Sequence, residues 1–186
     1  MTKAYSNNLT QDQYELIKPL LPAAKPGGRP REVCMWSVLN AIFCLVSNGC
    51  KWRDLPGDFP AWQTVYTYFS NWRNDGTWIA IHDKLRAWNR VAEGRQESPS
   101  EAILDSQSVK SDTMVHEEMG YDAAKHVKGR KRHLTVDTLD LVLRVLVTAA
   151  SVPEREGGKR VLKKVKEMGG QVKRLFLVSV RDKKLL

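Results

Sequence analysis

The sequence has little of what membrane and secreted proteins need. No apolar run approaches the roughly 18 residues required to cross a bilayer, and the N-terminus, MTKAYSNNLTQDQ, lacks an apolar signal core. The cysteines Cys34, Cys44 and Cys50 have no zinc-like spacing and no nearby histidine. Their odd number favours reduced, buried thiols over a disulfide scaffold. We therefore expect a cytoplasmic protein with no membrane partner.

Acidic residues are too few to balance the basic ones. Lysine and arginine number 30 against 21 aspartates and glutamates, which gives a net charge of +9. The surplus is +3 in residues 1–100 and +6 in residues 101–186. A basic surplus of this size favours a polyanionic partner, most commonly nucleic acid, although solubility alone is the alternative.

Local signals in the first half predict short helices. Thr10 and Gln13 form a capping box, and Pro22 ends the helix that follows. The segment VCMWSVLNAIFCLVSNG is apolar almost all round and stops at Asn48-Gly49. Such a segment is typical of the central helix of a small bundle.

Two further helices are predicted over residues 61–73 and 77–91, where large apolar residues repeat at helical spacing. A core role explains this periodicity better than base stacking, which is the alternative for the aromatic rings. Four or five short helices with tight turns predict a helix-turn-helix-like domain. The repeating residues are Trp62, Val65, Tyr66, Phe69, Trp72, Trp78, Ile81, Leu85 and Trp88.

A short basic arm, GGRPR, separates the first two predicted helices. Its two arginines, Arg29 and Arg31, flank a proline and follow two glycines. A stiff arm of this kind could lie in a DNA minor groove. A plain basic linker is the equal alternative, because only composition is available to separate the two.

The pattern changes after a polar linker at residues 93–101. Four strand-like runs follow: AILDSQSV, KRHLTVDT, LVLRVLVTAA and RLFLVSV. A very short turn at Leu139-Asp140 predicts a hairpin between the second and third runs. An amphipathic helix precedes the fourth run, which a right-handed crossover would place parallel to the first. We predict an α/β or α+β sheet domain over residues 101–186, after a helical domain over residues 1–95.

Asp105 is the residue in this sheet that most needs an explanation. It follows Ala102, Ile103 and Leu104 within a strand, where aspartate is disfavoured. A carboxylate buried there must be paired, hydrogen-bonded or bound to a metal, although aspartate also serves in caps and turns. Asp137 lies beside the hairpin turn, where a structural role is favoured.

The chain resembles the bacterial insertion-sequence transposases of the DDE type, in the insertion-sequence-five group. The resemblance covers essentially all of it and rests on long motifs in a fixed order. In the first half these are LTQDQYELIKPLLP, GGRPR and GCKWRDLPGDFPAWQTVYTYFSNWRNDGTW. In the second half they are ILDSQSVK, GYDAAKHVKGRKRHLTVDTL and the run RLFLVSV.

The resemblance implies a ribonuclease-H-like mixed-sheet domain in which three acidic residues hold two divalent ions, Mg²⁺ or Mn²⁺, for DNA cleavage and strand transfer. Asp105 matches the first carboxylate. Arg181 stands where the second is expected, with Asp182 displaced by one, and the third has no counterpart. We therefore expect an incomplete domain that does not bind these ions productively, from a truncated, frameshifted or split gene. Asp140 replaces a turn glycine, and we expect the hairpin to remain.

A basic segment leads into the second strand-like run. On charge alone, a solvated loop and a set of phosphate contacts are equal alternatives, and the resemblance favours the phosphate contacts. It also implies that double-stranded DNA at the ends of the element is the partner. The functional alternative is a non-catalytic DNA-binding product that inhibits or dimerises with full-length enzyme. The candidate DNA-binding cations of the segment are Lys125, Lys128, Arg130, Lys131 and Arg132.

Overall fold

The computed structural model describes residues 5–24, 27, 31–111, 119–169 and 172–177. The chain divides into two compact units, Met1–Lys84 and Leu85–Leu186. No helix in the described ranges is both long and apolar enough to cross a membrane.

The first unit is helical, as predicted. Its helices are α1 (Gln11–Ile17), α2 (Met35–Asn48), α3 (Trp62–Asn74) and the first part of α4 (Thr77–Ala92), with short 3₁₀ turns at Lys18–Leu20 and Trp52–Asp54. The capping box at the start of α1 is confirmed, because Thr10 Oγ1 accepts from Gln13 N at 3.2 Å and Gln13 Oε1 accepts from Thr10 N at 3.0 Å. Helix α2 ends at Gly49, whose φ of 65° is the left-handed conformation that glycine tolerates best.

Helix α2 supplies most of the core of this unit, which confirms its predicted central place. Trp72 of α3 is buried and meets Trp78 edge-on at 5.2 Å between ring centroids, so both rings serve packing. Of the residues predicted to form the core, Tyr66 and Leu85 are exceptions at 45% and 37% exposed. The three cysteines are free, but the prediction of buried thiols holds for Cys44 and is wrong for Cys34, which is exposed.

The second unit contains a mixed sheet, with strands β1 (Glu101–Lys110), β2 (Gly120–Asp122), β3 (Val127–Val136), β4 (Val142–Ala149) and β5 (Arg174–Leu177). In the described residues β3 lies between β1 and β4, antiparallel to both, and its first residues also pair with β2. Strand β5 pairs with β1 in parallel, as predicted. The predicted hairpin is confirmed, and Asp140 occupies its turn with a φ of 59°.

Helix α5 (Glu154–Lys166) packs against one face of this sheet. Two buried helical glycines allow the close approach. A Cβ atom at Gly157 would lie 2.0 Å from Nε2 of His133, and one at Gly158 would lie 3.1 Å from Cδ2 of Leu104. The helix backbone therefore rests almost directly on β3 and β1, and the side chains on this face of β3 are buried.

The opposite face of the sheet is more exposed. Val145 and Val147 of β4 are 41% and 44% exposed, and Phe176 of β5 is 50% exposed. Strand β5 is exposed on both faces, because all four of its described residues are exposed. The predicted continuation of this strand, together with Arg181 and Asp182, lies outside the described residues.

Candidate nucleic-acid interface

Strand β3 begins four residues earlier than the predicted strand, at Val127 rather than Lys131. The basic segment is therefore mostly strand rather than loop, and successive side chains point to opposite faces of the sheet. Lys128, Arg130 and Arg132 lie on the open face, where Lys128 and Arg132 are exposed and Arg130 is half-buried. Lys131 alternates with them and lies on the face covered by α5. The pleat thus divides what the sequence presents as one basic cluster.

Lys131 is 4% exposed. Its Nζ donates to the carbonyl oxygen of Val152 at 3.0 Å and lies 3.1 Å from Oδ2 of Asp122. A buried ammonium of this kind is held by internal partners because its desolvation must be compensated. Lys131 is therefore held by internal partners on the α5 face and is not among the cations of the open face.

Lys125 lies in the turn between β2 and β3. Its Nζ donates to Oε1 of Glu154, at the start of α5, at 2.7 Å. This hydrogen bond lowers the pKa of the Glu154 carboxyl, and a hydrogen bond from Ser106 adds to the effect. Glu154 is half exposed, so the pair resembles a surface ion pair, typically worth about 0–1 kcal/mol. Lys125 could exchange this partner for a phosphate at little cost.

Asp105 lies in β1 directly opposite Leu134 of β3. Residues opposite each other in an antiparallel pair share a face, so Asp105 is on the same side of the sheet as Arg132 and Arg130. Gln107 confirms the alignment, because its Oε1 accepts from Nη2 of Arg132 at 2.7 Å. One face of the sheet thus carries the candidate carboxylate and three of the candidate cations.

Two other aspartates of this unit are committed to structural contacts. Asp137 is fully buried, is paired with Arg90 of α4, and accepts from the backbone N–H groups of Leu139 (2.9 Å) and Leu141 (3.0 Å). It thereby holds the β3–β4 turn, as its position predicted. Asp122 is buried on the α5 side with Lys131.

The described residues do not by themselves fit the two-metal arrangement that the resemblance implies. Within the ranges that the structure describes, no three histidine, cysteine, aspartate or glutamate side chains are grouped so that they could hold a metal ion. Two-metal catalysis requires several carboxylates close together.

The arginine arm is described only in part. Nη2 of Arg31 donates to the carbonyl oxygen of Pro22 at 2.9 Å, which ties this end of the arm to the segment after α1. Arg29 lies outside the described residues.

Sequence reasoning missed strand β2 and two of the residues that organise the sheet, Asp122 and Arg90. The signal for Asp122 was present in YDAA, since aspartate commonly accepts backbone hydrogen bonds from the two or three residues that follow it. Arg90 offered no comparable signal, because its partner Asp137 is 47 positions away in the chain.

The comparisons with known proteins agree in both halves of the chain. Residues 9–82 match the model of the IS4/5 family of transposases, and residues 96–179 match the transposase DDE domain, a domain that generally uses divalent metal ions and acts on DNA. The chain is 31% identical over 111 residues to the insertion element IS402 uncharacterized 16.2 kDa protein of Burkholderia cepacia, an alignment covering 55% of this chain and 73% of that protein. No solved structure matches. The chain belongs to the insertion-sequence transposases of the IS4/5 type.

Proposed function

We propose that this chain binds double-stranded DNA at the ends of its insertion element through the open face of the β1–β3 pair, and that this face presents DNA to Asp105. One observation carries the proposal. The register of β1 against β3 sets Asp105 on the same face as Lys128, Arg130 and Arg132. We also propose that this activity takes place in the cytoplasm, where double-stranded DNA is accessible in a bacterial cell.

The chemistry of these side chains suits the DNA backbone. Side chains two positions apart on a strand are separated by about 6.5 Å, so the three cations form a row along β3. Arginine offers a planar fork of donors that matches phosphate oxygens, and each phosphate that is neutralised releases counterions. Lys128 and Arg132 are the exposed members of the row and should carry most of the contact.

Asp105 is the residue that we propose for the chemical step. The described part of the chain offers no cluster of metal ligands around it, so we assign no step to Mg²⁺ or Mn²⁺. Metal-dependent nicking of element-end DNA that is abolished in Asp105→Asn would support the catalytic role. DNA binding without nicking would favour a regulatory product that occupies the element ends, alone or with full-length enzyme.

We also propose that residues 1–95 contribute DNA contacts through the arginine arm, and that residues 101–186 form the domain that carries Asp105. The strongly basic arm supports the first part. A fluorescence titration of Arg29→Ala plus Arg31→Ala against duplex DNA tests it. If affinity and salt dependence were unchanged, the arm would be only a linker.

The open-face proposal is tested by comparing two double variants of equal charge. Lys128→Ala plus Arg132→Ala removes two cations from the open face, whereas Lys159→Ala plus Lys163→Ala removes two exposed cations from α5, on the other side of the sheet. In a salt series, the first should lower the log–log slope of affinity against salt by about 1.8, or about 0.9 for each phosphate that is no longer neutralised, and the second by much less. Equal decreases in both variants would show that only net charge matters and would overturn the proposed face.

A further inference from the structure

Asp122, the last residue of β2, collects four hydrogen-bond donors although it is only 6% exposed. Its Oδ1 accepts from the backbone N–H groups of Ala124 at 3.1 Å and Lys125 at 3.2 Å. Its Oδ2 accepts from the Ser108 hydroxyl at 2.6 Å and lies 3.1 Å from the ammonium of Lys131. One carboxylate thus joins the β2–β3 turn to both β1 and β3.

The ionised form of Asp122 is strongly favoured. The hydrogen bond from Ser108 is the largest cause that lowers the pKa of its carboxyl to about 2, and Lys131 adds to it against the opposing effect of burial. The group is therefore charged at any pH near neutrality. Its two backbone contacts are charge-assisted hydrogen bonds, which are stronger than neutral ones.

The turn that Asp122 holds is one that a free chain would seldom adopt. His126 has a φ of 51°, in the left-handed region that non-glycine residues rarely occupy. Such a conformation persists where the surroundings impose it. The same turn carries Lys125 and leads directly into Lys128, the first exposed cation of β3.

We propose that Asp122 is a positioning residue for DNA binding: it contacts no phosphate itself and fixes the shape of turn 123–126, which sets the start of β3 and thereby holds Lys128 on the open face toward the DNA backbone. The inference rests on the open-face binding proposed above. A positioning role for Asp122 predicts that a buried negative charge promotes binding to a polyanion. Simple Coulomb repulsion predicts the opposite.

The test uses Asp122→Asn in the full chain, with Asp140→Asn as the matched control. Both variants raise the net charge by one. Asp140 is exposed in the β3–β4 turn with a φ of 59°, a conformation that asparagine also tolerates. We expect Asp122→Asn to weaken duplex binding about tenfold and to lower the log–log salt slope by about 0.9 for each phosphate contact that is lost, while Asp140→Asn binds as well as the unmodified chain or slightly better. Equal or tighter binding by Asp122→Asn would overturn the inference.

A second variant separates positioning from support of the fold. Asp122→Asn combined with Lys131→Met removes both members of the buried pair, so neither charge is left uncompensated. Positioning predicts that thermal stability recovers in the double variant while DNA affinity stays low, because the turn N–H groups of Ala124 and Lys125 still lack their charged acceptor. Recovery of affinity together with stability would show that Asp122 serves only to neutralise Lys131.

The outcomes also distinguish the positioning role of Asp122 from the proposal that the open face binds DNA. If Lys128→Ala plus Arg132→Ala weakens binding and Asp122→Asn does not, only the positioning role fails. If neither variant differs from its control, both the open face and the positioning role are overturned. Faster amide exchange at Ala124 and Lys125 in Asp122→Asn, without a wider decrease of protection in β3, would localise the change to the turn.

Discussion

The two faces of strand β3 place their basic residues in opposite surroundings. On the open face, Lys128 and Arg132 are exposed, and Arg132 makes one surface hydrogen bond to Gln107. On the α5 face, Lys131 and His133 are buried against Asp122 and Gly157. Neighbouring residues of the same run therefore have different roles. The open face is available to a polyanion, and the α5 face stabilises the packing of the unit.

The sharpest contrast lies between Lys131 and Arg132, which are adjacent in sequence. Lys131→Met should lower the free energy of unfolding by about 3 kcal/mol, because removing one member of a buried ion pair leaves the Asp122 carboxylate without its counter-ion. Arg132→Ala should change it by less than about 1 kcal/mol, since the side chain is exposed. Urea unfolding of both variants measures the difference. Similar destabilisation in the two variants would mean that the side chain on the α5 face contributes no more to stability than the side chain on the open face.

Substitutions in α5, where the helix packs against the buried face of β3, should have a smaller effect on stability. Gly157→Ala would place a Cβ atom 2.0 Å from Nε2 of the buried His133 ring, so the ring or the helix must move. Overpacking of this kind costs about 1–3 kcal/mol, partly offset by the higher helix propensity of alanine. Gly158→Ala is the matched control, because its Cβ would meet only the end of the Leu104 side chain at 3.1 Å. We expect it to be neutral or stabilising in thermal unfolding. A Gly157→Ala variant as stable as Gly158→Ala would contradict the close packing of α5 on His133.

The smallest expected effect is the dependence of the free energy of unfolding on pH. Burial lowers the pKa of His133 below its ordinary value, and the neighbouring cation Lys131 lowers it further, while Glu154 acts in the other direction. The unfolded chain then binds the proton more readily than the folded one. Stability from the neutral ring is therefore complete above about pH 6.5 and declines as the pH falls toward the folded pKa, by at most about 1.4 kcal/mol per pH unit.

Urea unfolding at about pH 7.5 and about pH 5.5 measures this decline. His133→Gln should flatten the dependence, whereas His126→Gln, at an exposed residue, should retain it. A dependence that is unchanged in His133→Gln would assign the proton to another group.

Features set by neighbouring residues could be predicted well. The capping box of Thr10 and Gln13, the end of α2 at Gly49 and the turn at Asp140 depend on contacts within a few positions, and all three are confirmed. The position of Asp105 within β1 was likewise visible from its apolar neighbours. Its role in the reaction stays a prediction.

Features that depend on pairing between distant parts of the chain could not be predicted from the sequence. The predicted strand began at Lys131, but pairing with β1 and β2 extends β3 back to Val127. Period-2 alternation within the predicted strand already places Lys131 and Arg132 on opposite faces. Lys128 and Arg130 lay before that strand, so their faces could not be assigned from the sequence. The pairing of Asp137 with Arg90 depends on an approach between elements 47 positions apart.

The residues alone were enough to predict the order of the main helices and of every described strand except β2, the basic balance, the candidate carboxylate and the resemblance to the transposase family. These features follow from the composition of the chain, from short-range periodicity and from sequence motifs, and none of them depends on contacts between distant residues. Folding settled which side of the sheet each cation occupies, because facing depends on strand register and on the side against which α5 packs. For that reason the chain shows five cations in one run, and the structure leaves three of them on the face with Asp105.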